Sequence, residues 1–316
     1  MAALRRLAGG VARSRARVRC CAASAPKPAT VLLNYQEPPP PGKRTGRYIN
    51  QPDRGDTVDE CVPTPTLMHD GRLLRPPASL HDAGFALERC PTSVRNFRDD
   101  DEVVRSYYPE MRELIKRASG ATRVMIFDHT VRNTASTSLN AQAGGTAAPV
   151  PRVHCDYTAD GAPRRLMQFA DDGVYSHLRQ RKLVRADIEQ LADQRFAFIN
   201  VWRNILETPV ERLPLAVCDT RTVPKEDFFL YELLFPDRTG ENYSLRSNKE
   251  HQWYYYPRMV KDECLVFKVY DKQEDGPRFV FHTAFDDPLT TPESPARESI
   301  EIRAIAFFTE EGTCLD

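Results

Sequence analysis

A chain of 316 residues is long enough to bury a full core and to form one large catalytic domain. Its 44 basic and 44 acidic residues cancel, so no charge excess points to nucleic acid or to an acidic partner. No apolar run reaches the roughly 18 residues of a membrane-spanning helix, and 25 prolines against 15 glycines favour loops and strand ends over a helical bundle.

Residues 1–36 carry Arg5, Arg6, Arg13, Arg15, Arg17, Arg19 and Lys27, with no acid before Glu37 and mostly Ala and Ser between. That composition predicts an organelle transit peptide without ordered structure. The segment Val18-Arg19-Cys20-Cys21-Ala22-Ala23 favours a chloroplast stroma over a mitochondrion, a cytoplasmic tail being the alternative. Residues 37–316 read as a single catalytic domain, entered through the extended connector Pro38-Pro39-Pro40-Pro41. The span 45–98 predicts loops with a few short strands. From Asp99, Val103, Tyr107, Met111, Leu114 and Ile115 recur at helical spacing, with Pro109 kinking or splitting the helix and Gly120 ending it. Arg123–Arg132 is a strand candidate, 133–148 a loop, and Val153–Tyr157 a short strand. A charged helical insertion follows at about 160–195. Phe196–Arg203 and Cys264–Tyr270 read as apolar strands, whereas Arg278–Phe285 and Ser299–Phe308 alternate as strands with one buried face. The aromatic run Gln252–Tyr256 reads as a core strand first and a substrate wall second.

The predicted fold is mixed α+β with a mainly β core, a sandwich or jelly-roll barrel buttressed by helices on one side. Strands not regularly separated by helices, and the lack of a GxGxxG, argue against a dinucleotide-binding sheet. Eight cysteines without a CxxC pair read as mostly free thiols in a reducing compartment.

His154 and Asp156 lie two apart in a candidate strand, so they project from one face and can share a metal ion. His282, mid-strand in RFVFHTAF, is the best third ligand. Two imidazoles and one carboxylate suit non-haem iron(II) and leave positions for a cosubstrate and oxygen. An isolated HxD is common by chance, but Arg297 and Ser299 follow downstream. A guanidinium fork and a hydroxyl can hold the distal carboxylate of 2-oxoglutarate. Arg303 has the same strand parity and could serve instead or as well; surface pairing with Glu298 and Glu301 is the plain alternative for both arginines. Tyr157, Asn200 and Trp202 are weaker candidates for the pocket, and Asp128 with His129 could orient a ligand. Cys155 points away from His154 and Asp156 and is excluded from the metal site.

The segments FDHTVR (127–132), VHCDYT (153–158), NVWR (200–203), PLAVCDTRTV (214–223) and the tail HTAFDDP…ARESIEIRAIAFF (282–308) resemble one oxygenase family. It comprises gibberellin-desaturase-like, hydroxylase/desaturase and cephem-methoxylase-like proteins. The resemblance covers roughly residues 30–310; Phe281 stands where many relatives carry proline. It implies a double-stranded β-helix (jelly-roll, cupin-like) core and a hydroxylase or desaturase of small, secondary-metabolite-like substrates that uses Fe(II), 2-oxoglutarate and O2. It also implies His154, Asp156 and His282 as iron ligands and Arg297 as the 2-oxoglutarate anchor. A zinc hydrolase on the same ligands would want a Glu base, and none stands at a convincing spacing. A binding barrel that has lost its metal fits poorly with the intact set of residues.

Overall fold

In the computed structural model, which describes residues 28–137, 146–169 and 185–309, the alternating and apolar segments pair into two sheets. The chain begins with β1 (Ala29–Tyr35), β2 (Arg44–Tyr48), β3 (Thr57–Val58), β4 (Val62–Asp70) and β5 (Phe85–Arg89). A helical segment, α1 (Asp100–Glu102) and α2 (Tyr108–Ser119) joined by a π-helical turn, leads to β6 (Arg123–Asn133) and β7 (His154–Cys155). Helices α3 (Gly161–Gln168) and α4 (Arg185–Asp193) come next. The rest is strand: β8 (Phe196–Asn204), β9 (Leu215–Cys218), β10 (Phe228–Leu234), β11 (Thr239–Leu245), β12 (Trp253–Tyr255), β13 (Glu263–Asp271), β14 (His282–Ala284) and β15 (Glu298–Phe307). Among the described residues the larger sheet runs β1-β4-β12-β9-β14-β7-β11-β10-β2-β3 and the smaller β5-β13-β8-β15-β6.

The sheets face each other across one apolar core. Leu33, Met68 and Trp253 of the larger sheet pack with Phe127, Phe198 and Phe267 of the smaller. The smaller sheet is covered on its other face too. There Ile199, Val201, Ile300 and Ile302 meet Tyr107, Met111 and Leu114 of the helical segment. Burial on both faces explains why β8 reads as a mainly apolar run rather than an alternation. This is the jelly roll with a helical buttress that the sequence predicts.

Pro109 neither breaks nor splits the helix. Asp99 caps the start, its carboxylate accepting from the backbone N–H of Asp101 and Glu102. Tyr108 N–H then reaches back to the Val103 carbonyl, a widened turn that accommodates the proline ring. Gly120, at φ 75°, closes α2 in the left-handed conformation that suits glycine.

Several boundaries move. Ala29–Tyr35, inside the predicted leader, is a strand paired along its length with β4, with Val31, Leu33 and Tyr35 buried. The leader proper, residues 1–27, lies outside the described residues. The span 45–98 holds a nine-residue strand, β4, and β9, β10 and β11 form where no strand was expected. Val153–Tyr157 shrinks to the two residues of β7, and Arg278–Phe285 to the three of β14. Of the insertion at about 160–195, α3 and α4 are helical and residues 170–184 lie outside the described residues.

Arg203, on the β8 face away from the barrel interior, is wholly buried. It donates to Tyr107 Oη (3.0 Å), Lys261 O (2.8 Å) and Cys90 O (2.6 Å), tying the helical segment to the sheet. Arg203→Met keeps the bulk but strands those acceptors. We expect a loss of about 3 kcal/mol or more in urea unfolding; a change under 1 kcal/mol would show the clamp to be idle.

Candidate metal centre

Strand register brings the first two ligand candidates together. His154 on β7 and His282 on β14 are direct cross-strand partners in an antiparallel pair, where opposite Cβ atoms lie only about 5 Å apart. Asp156, two residues beyond His154, returns to the same face. The donor atoms of His154, Asp156 and His282 all fall within 4.8 Å of one another. Asp156 Oδ1 is 3.5 Å from His154 Nε2 and 3.8 Å from His282 Nε2.

Both imidazoles are oriented in the same way. His154 Nδ1 donates to Arg152 O (2.7 Å) and His282 Nδ1 to Val280 O (3.1 Å). Each backbone carbonyl can only accept, so it fixes the tautomer and leaves Nε2 as a lone-pair donor toward the shared point. Burial, then the neighbouring His154, pushes His282 down to about 4, so it stays neutral as a metal ligand must. Burial alone would raise the Asp156 carboxyl. The groups beside it, the His154 and His282 rings and the Arg303 guanidinium, instead hold it well below the usual carboxylate range.

Behind Asp156 runs a polar chain. Asn200 Nδ2 donates to Asp156 Oδ2 (2.7 Å) and to Glu301 Oε1 (3.2 Å). Arg303 lies 3.2 Å from the same Glu301 oxygen and donates to Asp128 Oδ2 (2.7 Å) and Thr130 Oγ1 (2.9 Å). Asn200, a pocket candidate from sequence, therefore holds the carboxylate, turning Oδ1 toward the histidines. Asn200→Leu should weaken iron(II) binding by about 10–100-fold in an anaerobic titration; unchanged affinity would leave the hydrogen bond without a role.

A small cavity opens on the three donors, lined also by Trp202, Arg132, Arg297, Glu301 and Arg303. The Arg297 side chain is buried and gives one hydrogen bond, from Nη1 to Leu213 O, while its Nε and the Ser299 hydroxyl have no partner among the described residues. Burial first, and then the charge of Arg132, lowers Arg297 to about 9, with Glu301 opposing. These are marks of a cation that lacks its counter-anion. Iron(II) fits two imidazole nitrogens and one carboxylate oxygen, and a keto-diacid fits the orphaned donors of Arg297 and Ser299.

Comparison with known proteins agrees. Residues 33–307 match the family described as "Oxidoreductase/YMDC permease-like domain"; no helix among the described residues is long and apolar enough to cross a membrane. The hydroxylase/desaturase efuI of Hormonema carpetanum is 32% identical over 81% of this chain and 88% of its own length, and the alpha-ketoglutarate-dependent dioxygenase phiK of a fungal species is 32% identical over 72% of this chain and 79% of its own. The chain belongs to the iron(II)/2-oxoglutarate-dependent oxygenases. The Fe(II)/2-oxoglutarate-dependent dioxygenase nvfI of Aspergillus novofumigatus is 29% identical over 87% of this chain and 90% of its own. A solved structure of the iron and alpha-ketoglutarate-dependent endoperoxidase NvfI superposes with a TM-score of 0.73 at 25% identity, covering 89% of this chain and 98% of that one. The protein is accordingly an oxidoreductase of the 2-oxoglutarate-dependent dioxygenase class, with iron(II) and 2-oxoglutarate as its cofactor and cosubstrate.

Within this oxygenase the remaining candidates separate. Trp202 lines the inner cavity, with the Arg297 guanidinium 5.5 Å from its ring centroid. Tyr157 packs on Phe198, the ring centroids 4.3 Å apart and the planes tilted by 38°, and lines a second, outer cavity. The pair Asp128 and His129 splits, Asp128 bonding Arg303 while His129 meets Tyr108 Oη (2.9 Å) beside the helical buttress. Cys155 is buried on the far side, its thiol on Val269 O (3.2 Å). The 252–256 run is a core strand, with Trp253 Nε1 donating to Tyr35 Oη (2.7 Å). Phe281, in place of the expected proline, is buried against Phe228 at 5.7 Å between ring centroids. Sequence reasoning missed two charged lining residues. Arg132, opposite Ser299 in the register, reads as a surface arginine in a strand, and Glu301 reads as a surface ion-pair partner. The odd-residue parity of β15 was the available signal for Glu301.

Proposed function

We propose that His154, Asp156 and His282 hold the iron and that Arg297 with Ser299 receives the distal carboxylate of 2-oxoglutarate. The observation that carries the second half is the contrast between two arginines. Arg303 is already engaged by Asp128 and Glu301, whereas Arg297 and Ser299 keep buried donors without acceptors. When bound, the metal and cosubstrate supply the oxidising power for an unactivated C–H bond. The chain's own residues orient and desolvate. Asn200 fixes the Asp156 carboxylate, the Arg152 and Val280 carbonyls fix the imidazoles, and Trp202 walls the cavity beside Arg297.

The substrate reading is a small, secondary-metabolite-like molecule that is hydroxylated or desaturated, supported by the hydroxylase/desaturase names of the relatives. Protein loaded anaerobically with iron(II) should convert 2-oxoglutarate to succinate with uptake of O2. A protein that binds iron but leaves 2-oxoglutarate untouched across a metabolite panel would overturn the reading. A hydrolase on the same ligands has less support, because Glu301, the one glutamate lining the inner cavity among the described residues, is tied to Asn200 and Arg303.

The basic, acid-free N-terminal composition supports delivery to a plastid, with a mitochondrion or the cytoplasm as alternatives. Because β1 starts at Ala29, a leader has to be removed ahead of it to leave the sheet whole. A fluorescent protein fused behind residues 1–28 that stayed cytosolic would end this reading.

A further inference from the structure

A second cavity, of about 270 Å³, meets the inner one at Asp156 and Arg303. Its floor is Asp156 and Tyr157; α3 forms one wall, and the β10–β11 hairpin forms the other. It therefore offers a way in toward the three candidate ligands. The wall chemistry is two-sided. Tyr157, Leu233 and Phe235 offer apolar surface, and Arg164, Arg165 and Arg238 offer guanidinium groups, that of Arg165 donating to Gln168 Oε1 (3.0 Å).

Arg164 and Arg238 are differently placed. Arg164 pairs with Glu241, whose other oxygen accepts from Thr158 Oγ1 (2.9 Å). One positive charge is thus offset by the one acid of the walls. Arg238, at the hairpin turn, lies over the Phe235 ring at 4.0 Å, and its nearest carboxylate among the described residues is that of its own neighbour Asp237, 4.0 Å away and largely exposed. A pair of exposed neighbours at that distance contributes little. Arg238 is held by stacking, with its donor edge uncommitted to any strong acceptor among the described residues, the state in which a planar fork takes a carboxylate. Arg303, at the floor, is occupied by Asp128 and Glu301, so it does not compete for that anion.

We infer that the substrate is an anion with an apolar body: its acidic group meets Arg238 on the hairpin, with Arg164 beside it, and its hydrocarbon part lies over Phe235 and Tyr157 toward the metal. This rests on the reading of the inner cavity as the 2-oxoglutarate site. The test uses the full chain loaded with Mn(II) and saturated with 2-oxoglutarate, titrated calorimetrically with phenylalkanoic acids of two to six chain carbons and with their methyl esters. The acids should bind about ten-fold more tightly than the esters, the scale of a hydrogen bond to a charged group. Arg238→Gln should remove most of that advantage while leaving ester affinity unchanged, and added salt should erode it as it screens an exposed cation. Equal affinity of acids and esters, binding of neither across the series, acids that displace 2-oxoglutarate, or an advantage untouched by both Arg238→Gln and Arg164→Gln would each overturn the proposal. Failure of 2-oxoglutarate itself to bind the Mn(II) protein is a different result: it would bring down the reading of the inner cavity.

Discussion

Asp156→Ala is expected to abolish succinate formation and to weaken iron(II) binding by more than the roughly 100-fold upper range for losing an outer hydrogen-bond partner. Asp156 supplies the only anionic donor of the three, its Oδ1 within 3.8 Å of both imidazole nitrogens. Without it two neutral imidazoles remain, a set that binds ferrous iron poorly. His154→Ala and His282→Ala should behave alike, because each removes one of two cross-strand partners. The check is an anaerobic iron titration beside the turnover assay. Wild-type affinity in any of the three variants would remove that residue from the metal shell.

Arg297→Ala carries the second large effect, and it falls on the cosubstrate rather than on the metal. Truncating one member of a buried charge pair costs about 2–5 kcal/mol, so the Kd for 2-oxoglutarate should rise by roughly 30-fold or more. Iron(II) affinity should stay near the wild-type value, since the Arg297 side chain bonds to Leu213 O and makes no bond to the three ligands. Arg303→Ala should differ in kind. It strips Asp128 and Glu301 of their cation and loosens the chain that ends on Asp156, so it should lower stability and metal affinity together. If Arg297→Ala left 2-oxoglutarate binding unchanged while Arg303→Ala abolished it, the anchor would have to be reassigned to Arg303.

How much of this was legible in the sequence follows from which signals are local. The HxD pair is a two-residue relation within one strand, and the alternation of residues 298–307 is local too, so the faces of β7 and β15 could be read directly. The meeting of His154 and His282 could not: it depends on β14 pairing between β9 and β7, a long-range choice that the short strands do not advertise. β1 was hidden by its neighbours, because Ala29–Tyr35 follows a basic tail whose composition dominates any window that includes it. The β10–β11 hairpin was missed because its residues are mostly half-exposed, which erases the contrast between faces. Arg297 and Arg303 share parity and chemistry, so sequence alone left them equal. Only their partners, two carboxylates for one and a lone backbone carbonyl for the other, tell them apart.

The most direct measurement is a crystal structure of the chain with Mn(II) and 2-oxoglutarate, grown without oxygen and read in anomalous density. The expected result is one manganese peak at bonding distance, roughly 2.0–2.3 Å, from His154 Nε2, Asp156 Oδ1 and His282 Nε2, with the distal carboxylate on Arg297 and Ser299. A peak that excludes either histidine, or a cosubstrate whose distal end lies away from Arg297, would contradict the account.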